Sequence, residues 1–91
     1  MLDIKMEIKY SSVFRKQHKK LPIKIKSAFK LRLVLFMKNP SAPMLRNYQL
    51  TGKFKYFRSI NITGDWRAIY SENSRDEIIF EMIGTHSQLY K

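Results

Sequence analysis

The segment RSINITGDWRAIY, Arg58 to Tyr70, holds two β-branched and aromatic runs hinged on Thr63-Gly64-Asp65. Such runs favour strands, and a Gly-Asp pair between them favours a tight turn, so the segment reads as an antiparallel hairpin. A third run, Glu77 to Ile83, follows the turn residues Glu72-Asn73-Ser74-Arg75 and extends the hairpin to a meander of Tyr56–Ile62, Trp66–Ser71 and Glu77–Ile83. Beyond it lies GTHSQLY, with His86 just past a glycine that lets the chain bend.

Upstream, Ile4 to Tyr10 alternates as a short strand, and Ser11-Ser12 supplies a helix N-cap. Val13 to Lys20 is a short, very basic helix with a stripe of Val13, Phe14 and Gln17; His18 stands among lysines and reads as an ordinary surface residue. Pro22 suits the start of a second helix, which runs unbroken from Ile23 to Lys38 before Asn39-Pro40. On a 100° wheel Ile25, Ala28, Phe29, Leu33, Leu35 and Phe36 share one arc and mark this as the main core helix. Arg32 falls inside that arc, accounted for only by a snorkelling stem or an ion pair. Asn39 to Gln49 is a proline-containing loop, and Leu50 to Lys53 turns into the sheet. The order β-α-α-β-β-β implies a single α+β domain over residues 1–91, with both helices on one face of a mainly antiparallel sheet and the other face open.

Ninety-one residues allow one core, burying about 60 to 65 per cent of the unfolded surface. Without cysteine there is no disulfide framework or thiolate metal site, and two histidines cannot close a zinc site. No apolar run approaches the roughly 20 residues that span a bilayer, and the N-terminus lacks a signal-peptide apolar region, so a cytoplasmic, soluble protein is expected. Eighteen Lys and Arg against seven Asp and Glu give a net charge of +11. That charge calls for an anionic partner: nucleic acid most simply, although an anionic membrane or an acidic protein uses the same field.

Alternation along the hairpin sets Arg67 across from Ile62, with Arg58, Ile60 and Ile69 on its face and Trp66, Ala68 and Tyr70 on the other; a one-residue bulge would reverse this. Two arginines on one face can grip a phosphodiester, though by themselves they read more simply as solubilising cross-strand charges. An imidazole is the side chain best suited to proton transfer at a ribose 2′-hydroxyl, which makes His86 the candidate, and Tyr90 offers a phenol or a stacking ring. On spacing alone, a lone His86 reads more readily as structural or inert than as catalytic.

The segment LTGKFKYFRSINITGDWRAIYSENSRDEIIFEMIGTHSQLY, Leu50 to Tyr90, resembles the C-terminal half of the RelE/ParE superfamily of type II toxin–antitoxin toxins, nearest to RelE-like and YafQ-like mRNA interferases. The preceding strand and two helices match the same fold's order. The resemblance implies a metal-free endoribonuclease without cofactors, cutting mRNA in the ribosomal A site to leave a 2′,3′-cyclic phosphate. By matching position it makes Arg67 the transition-state arginine, His86 the acid/base, Tyr90 the closing aromatic, and Asp65-Trp66 the D-W pair of the YafQ-like subgroup. Arg58 falls where some RelE members carry a catalytic lysine, and Lys53, Lys55, Arg58 and Trp66 become the RNA- and phosphate-binding set. Tyr48 and Asn61 replace two further histidines of YafQ-like proteins, and Ile60 replaces a second RelE lysine, leaving few proton-transfer groups. The resemblance also implies a cognate antitoxin bound to a monomeric toxin; the +11 charge and open basic sheet face call for an acidic, partly disordered one, whose helix is expected along Arg15–Lys38 with a second segment near the meander. Two rival readings are a ParE-like inhibitor of DNA gyrase, disfavoured by GTHSQLY, and a non-catalytic basic nucleic-acid-binding homologue.

Overall fold

The computed structural model describes residues 6–90; Ile4 and Lys5 of the expected first strand lie outside them. The chain runs β1 (Glu7–Tyr10), α1 (Ser12–Lys19), α2 (Ile23–Lys38), a 3-10 turn (Pro43–Leu45), β2 (Tyr48–Gln49), a second 3-10 turn (Gly52–Phe54), β3 (Phe57–Thr63), β4 (Trp66–Ser74), β5 (Glu77–Thr85) and α3 (His86–Leu89). The five strands form one sheet in the order β1-β5-β4-β3-β2. Only β1 is parallel to its neighbour β5; the other pairs are antiparallel.

Local signals account for the helices. Ser11 caps α1, its Oγ accepting from the Phe14 amide at 3.0 Å while donating to the Glu81 carbonyl at 2.8 Å, so one side chain starts the helix and ties it to β5. Helix α2 spans the expected Ile23–Lys38, because Pro22 precedes it and Asn39-Pro40 stops it. Both helices bury their apolar stripes on one sheet face: Phe14, Leu21, Phe29 and Phe36 pack with Ile60, Ile62, Ala68, Tyr70, Ile78, Phe80 and Ile83. Phe80 is the hub. Its ring meets Tyr10, Phe14, Phe29, Phe36 and Tyr70 at centroid distances between 5.4 and 6.1 Å, in stacked, tilted and edge-on arrangements. Each such pair adds roughly 0.5–1.5 kcal/mol beyond the area it buries.

Three expectations change. The sheet gains β2, whose two residues pair with Ser59 and Arg58 of β3. Its second face is not open: Leu50, Ile69 and Leu89 form a smaller core there, flanked by Phe54, Phe57, Met82 and Tyr90. The hairpin register also differs. Arg67 pairs with Asn61, and Ile62 is left out of the ladder as a bulge before Thr63 pairs with Trp66. Arg58, opposite Tyr70, therefore lies on the helix-facing side with Ile60, whereas Arg67 shares the second face with Ile69. The bulge also explains Arg32. Its Nε donates to the Ile62 carbonyl at 2.9 Å, so a charged residue inside the apolar arc of α2 satisfies an acceptor that the ladder does not.

His18 is not the plain surface residue its neighbours suggest. Its imidazole is half-buried, stacked on Phe14 at 5.8 Å and edge-on to Phe29 at 6.0 Å. Desolvation first, and the Lys26 charge second, hold its pKa below 6.5. The unfolded imidazole then takes up a proton at higher pH than the folded one, so stability falls as pH drops through the unfolded value. Thermal melts of wild type and His18→Gln between about pH 7.5 and about pH 5.5, bracketing that value, should show wild type losing more Tm on acidification. Parallel losses would refute this role for His18.

Candidate functional site

Strand β4 is central, and its first residues carry the site. Gly64 holds φ at 54° in the β3–β4 turn, where a side chain would be strained. The Gly64 carbonyl accepts two side-chain donors: Arg67 Nη1 at 2.9 Å and Asn61 Nδ2 at 3.1 Å. Arg67 Nη1 also reaches the Trp66 carbonyl at 3.1 Å, which folds the guanidinium back over the turn. The next turn residue receives the other half of the site, because the His86 amide donates to the Asp65 carbonyl at 2.8 Å. The start of α3 is thus pinned to the hairpin tip, and His86 stands exposed at the end of the sheet where Arg67 emerges.

Helix α3 is one turn long and depends on its cap. Thr85 Oγ1 accepts from the Gln88 amide at 3.3 Å, and Gln88 Oε1 accepts from the Thr85 amide at 2.8 Å. The turn brings the His86 and Tyr90 rings to a centroid distance of 4.7 Å, and Tyr90 meets Phe54 edge-on at 5.9 Å. Lys53 Nζ lies 5.2 Å from the Phe54 ring centre. Lys53, Phe54, Tyr90 and His86 thus form a continuous line along the second face, the face that also carries Arg67. The Tyr90 hydroxyl is buried and has no hydrogen-bond partner among the described residues.

The remaining expected residues stand apart. Lys55 is exposed, its ammonium 5.1 Å over Tyr56. Trp66 is half-buried against the helix-side core, on the face away from Arg67. Asp65 is exposed and joins the site through its carbonyl. Arg58 Nε donates to Asn47 Oδ1 at 2.8 Å, and Asn47 Nδ2 donates to the Tyr70 hydroxyl at 2.8 Å, making a lateral network on the helix-facing side. The three residues from Tyr70 back to Arg67 separate that network from the site by roughly 10 Å of strand. The Tyr70 phenol is pushed up by burial, against the opposing effects of Asn47 and Arg58. Among the described residues no group of three or more His, Cys, Asp or Glu converges, so no multidentate metal cage is supplied.

Residues absent from the sequence expectation were Phe54, Gln88 and Asn47. Gln88 was legible, since Thr85-x-x-Gln88 is a capping-box spacing. Phe54 and Asn47 lie in non-periodic loops that give no such signal.

Two helices on one face of a mainly antiparallel sheet are the arrangement that the resemblance to RelE/ParE toxins implies, and the chain has it. The family model for the bacterial toxin of type II toxin–antitoxin systems, YafQ, matches residues 6–91, and the chain belongs to that family. Comparison with curated protein sequences gives no match. Among solved structures, YafQ of E. coli strain BL21(DE3) is 24% identical, with a TM-score of 0.80 covering 96% of this chain and 100% of that one. YafQ in the E. coli DinJ–YafQ toxin–antitoxin complex is 25% identical, with a TM-score of 0.79 covering 97% and 100%. A YoeB/ParE toxin of Agrobacterium tumefaciens, at 14% identity, a TM-score of 0.74 and 89% and 99% coverage, shares the fold.

Gly84 tests the coupling between α3 and the sheet. A Cβ there would lie 2.9 Å from Gln88 Oε1 and 3.4 Å from Leu89 Cδ2. Gly84→Ala should break the Thr85–Gln88 cap and lift the helix, costing about 1–3 kcal/mol, with faster hydrogen exchange at the His86 and Tyr90 amides. Unchanged Tm and exchange would show that α3 does not depend on this contact.

Proposed function

We propose that this toxin is an mRNA endoribonuclease acting in the ribosomal A site through side-chain acid–base chemistry. The observation that supports it best is the hairpin tip, where the Gly64 and Asp65 carbonyls hold Arg67 and the His86 backbone at one end of the sheet. In the reaction the ribose 2′-oxygen attacks the adjacent phosphorus, the P–O5′ bond breaks, and a 2′,3′-cyclic phosphate and a 5′-hydroxyl result. One proton leaves the 2′-oxygen and one arrives at O5′. His86 takes one of these transfers, and the Arg67 guanidinium neutralises charge on the non-bridging oxygens. Tyr90, set against the imidazole, supplies the closing ring, with Phe54 behind it as a stacking surface. Lys53 adds phosphate-binding charge at the same border, and the exposed Lys55, apart from it over Tyr56, adds to the surrounding positive field. Trp66 buttresses the tip from below, and Arg58 supports the sheet through Asn47.

Induction of wild type, Arg67→Ala and His86→Gln in a bacterium, followed by primer extension on a reporter mRNA, tests this. Translation-dependent cuts should appear with wild type and fall by about 100-fold or more with either substitution, the scale of losing a positioned acid or an oxyanion donor. Growth arrest with DNA-damage signalling and no mRNA cuts would replace the nuclease with a topoisomerase-directed toxin. Unaltered cutting by both variants would displace the site.

The proposed partner is an acidic antitoxin whose helix lies along Arg15–Lys38. Between Ile8 and Gly64 the sequence contains no Asp or Glu. Helix α2 nevertheless exposes Ile23, Leu31, Val34 and Met37 on its outer side, beside Lys30 and Lys38. That combination suits an acidic amphipathic helix. Lys30→Glu together with Leu31→Asp should weaken the complex by at least tenfold and flatten its salt dependence in titration calorimetry. Affinity indifferent to both salt and charge reversal would remove the helix from this surface.

A further inference from the structure

Around the hairpin tip from Arg67, a groove of about 490 Å³ opens between α2 and the first 3-10 turn, lined by Arg32, Pro43, Met44, Arg46, Asn61 and Gly64. Four observations converge on it. Two arginines enter from separate elements. Arg32 commits its Nε to the Ile62 carbonyl, and Arg46 makes no side-chain hydrogen bond or ion pair among the described residues. Arg46 is also the one described non-glycine residue with positive φ, 45°, a conformation that costs an L-residue energy and holds it at the end of the 3-10 turn. Met44 is 61% exposed beside it, a polarisable apolar surface in a charged setting. Finally, Asn61 lines the groove while sharing the Gly64 carbonyl with Arg67, so groove and site meet at a single acceptor atom.

The geometry points to this groove as the binding track for the single-stranded RNA that flanks the cut phosphate. Arg46 would contact a neighbouring phosphate, Arg32 would add field from below, and Met44 would carry a base against its thioether. The inference rests on the nuclease reading, since it takes Arg67 and His86 to mark where the strand is cut. RNA is favoured over a protein segment because the lining offers two cations and one small apolar platform rather than a continuous apolar trough. The strand would pass over the hairpin tip, entering between Met44 and Arg46 and crossing Asn61 to reach Arg67.

The test separates binding from cutting. The probe is a short single-stranded RNA, 2′-O-methylated throughout so that it cannot be cleaved, titrated against the full-length protein at several salt concentrations. Arg46→Asn removes the charge while keeping a residue that tolerates positive φ; Arg46→Lys keeps the charge. Arg46→Asn should weaken binding about tenfold and reduce the slope of log K against log salt by about 0.7, the value for one phosphate contact on a single strand. Arg46→Lys should retain the slope, and Met44→Ser should weaken binding with the slope unchanged. Wild-type affinity and slope in Arg46→Asn would overturn the track, as would equal competition by duplex RNA or no RNA binding by wild type. If Arg67→Ala abolishes mRNA cutting while Arg46→Asn binds normally, the nuclease stands and the groove falls. Weaker binding by Arg46→Asn from a wild type that cuts nothing would keep the groove and sink the nuclease.

Discussion

The exclusion of Ile62 from the β3–β4 ladder fixes the orientation of everything functional in this domain. Strand side chains alternate with period two, so a one-residue slip reverses one strand's face against the other. Here it keeps Ile60 and Ile62 in the helix-side core while placing Asn61 beside Arg67 on the opposite face. The slip leaves a backbone acceptor that must be satisfied, and Arg32 reaches it from α2. Sheet register and helix position are therefore fastened at the same carbonyl, directly behind the hairpin tip. Above that fastening, Gly64 and Asp65 present their own carbonyls to Arg67, Asn61 and the His86 amide. The tip is a small rigid platform assembled mostly from main-chain acceptors.

Much of this was readable without coordinates, and the reasons divide cleanly. The bounds of α2 were written in Pro22 and Asn39-Pro40, which act on their own backbone and need no tertiary context. The meander followed from β-branched runs around Gly64-Asp65 and Asn73-Ser74. Its register was not legible, because a bulge is decided by which side chains the core can accommodate, and Ile60 and Ile62 both belong inside. Strand β2 escaped for a related reason: two residues carry no period, and their pairing depends on the loop that delivers them. The second-face core joins Ile69 of β4 to Leu50 and Leu89, which lie outside the strands, with Phe54 and Phe57 packed against them from a turn and a strand start, where hydrophobicity has no rhythm.

Of the candidate site, the residue types were legible but their partition was not. Arg58 and Arg67 are indistinguishable by charge and by strand membership. One is absorbed into a network with Asn47 and Tyr70, and the other emerges at the tip. His86 and Tyr90 owe their proximity to a four-residue helix that no propensity argument would support alone; Thr85, Gln88 and the bare Cα of Gly84 sustain it. The acid-free stretch from Ile8 to Gly64 then gives the helices and the β2 edge a nearly uniform positive field, with the carboxylates gathered elsewhere.

The parallel pairing of β1 with β5 has a consequence for how the molecule comes into being. Ser11 is bonded to Glu81 across 70 residues, and Lys9 to Glu77 by an ion pair of 2.8 Å. Closing so long a loop is slow, and folding rates fall as such distant contacts come to dominate. During synthesis, α1 and α2 emerge before the strand that Phe14, Phe29 and Phe36 must cover, because Phe80 is made last among those rings. The sheet, the aromatic core and the tip are consequently completed together, once β5 has left the ribosome. A half-made chain carries the positive charge of this protein but none of the geometry that would give that charge a purpose.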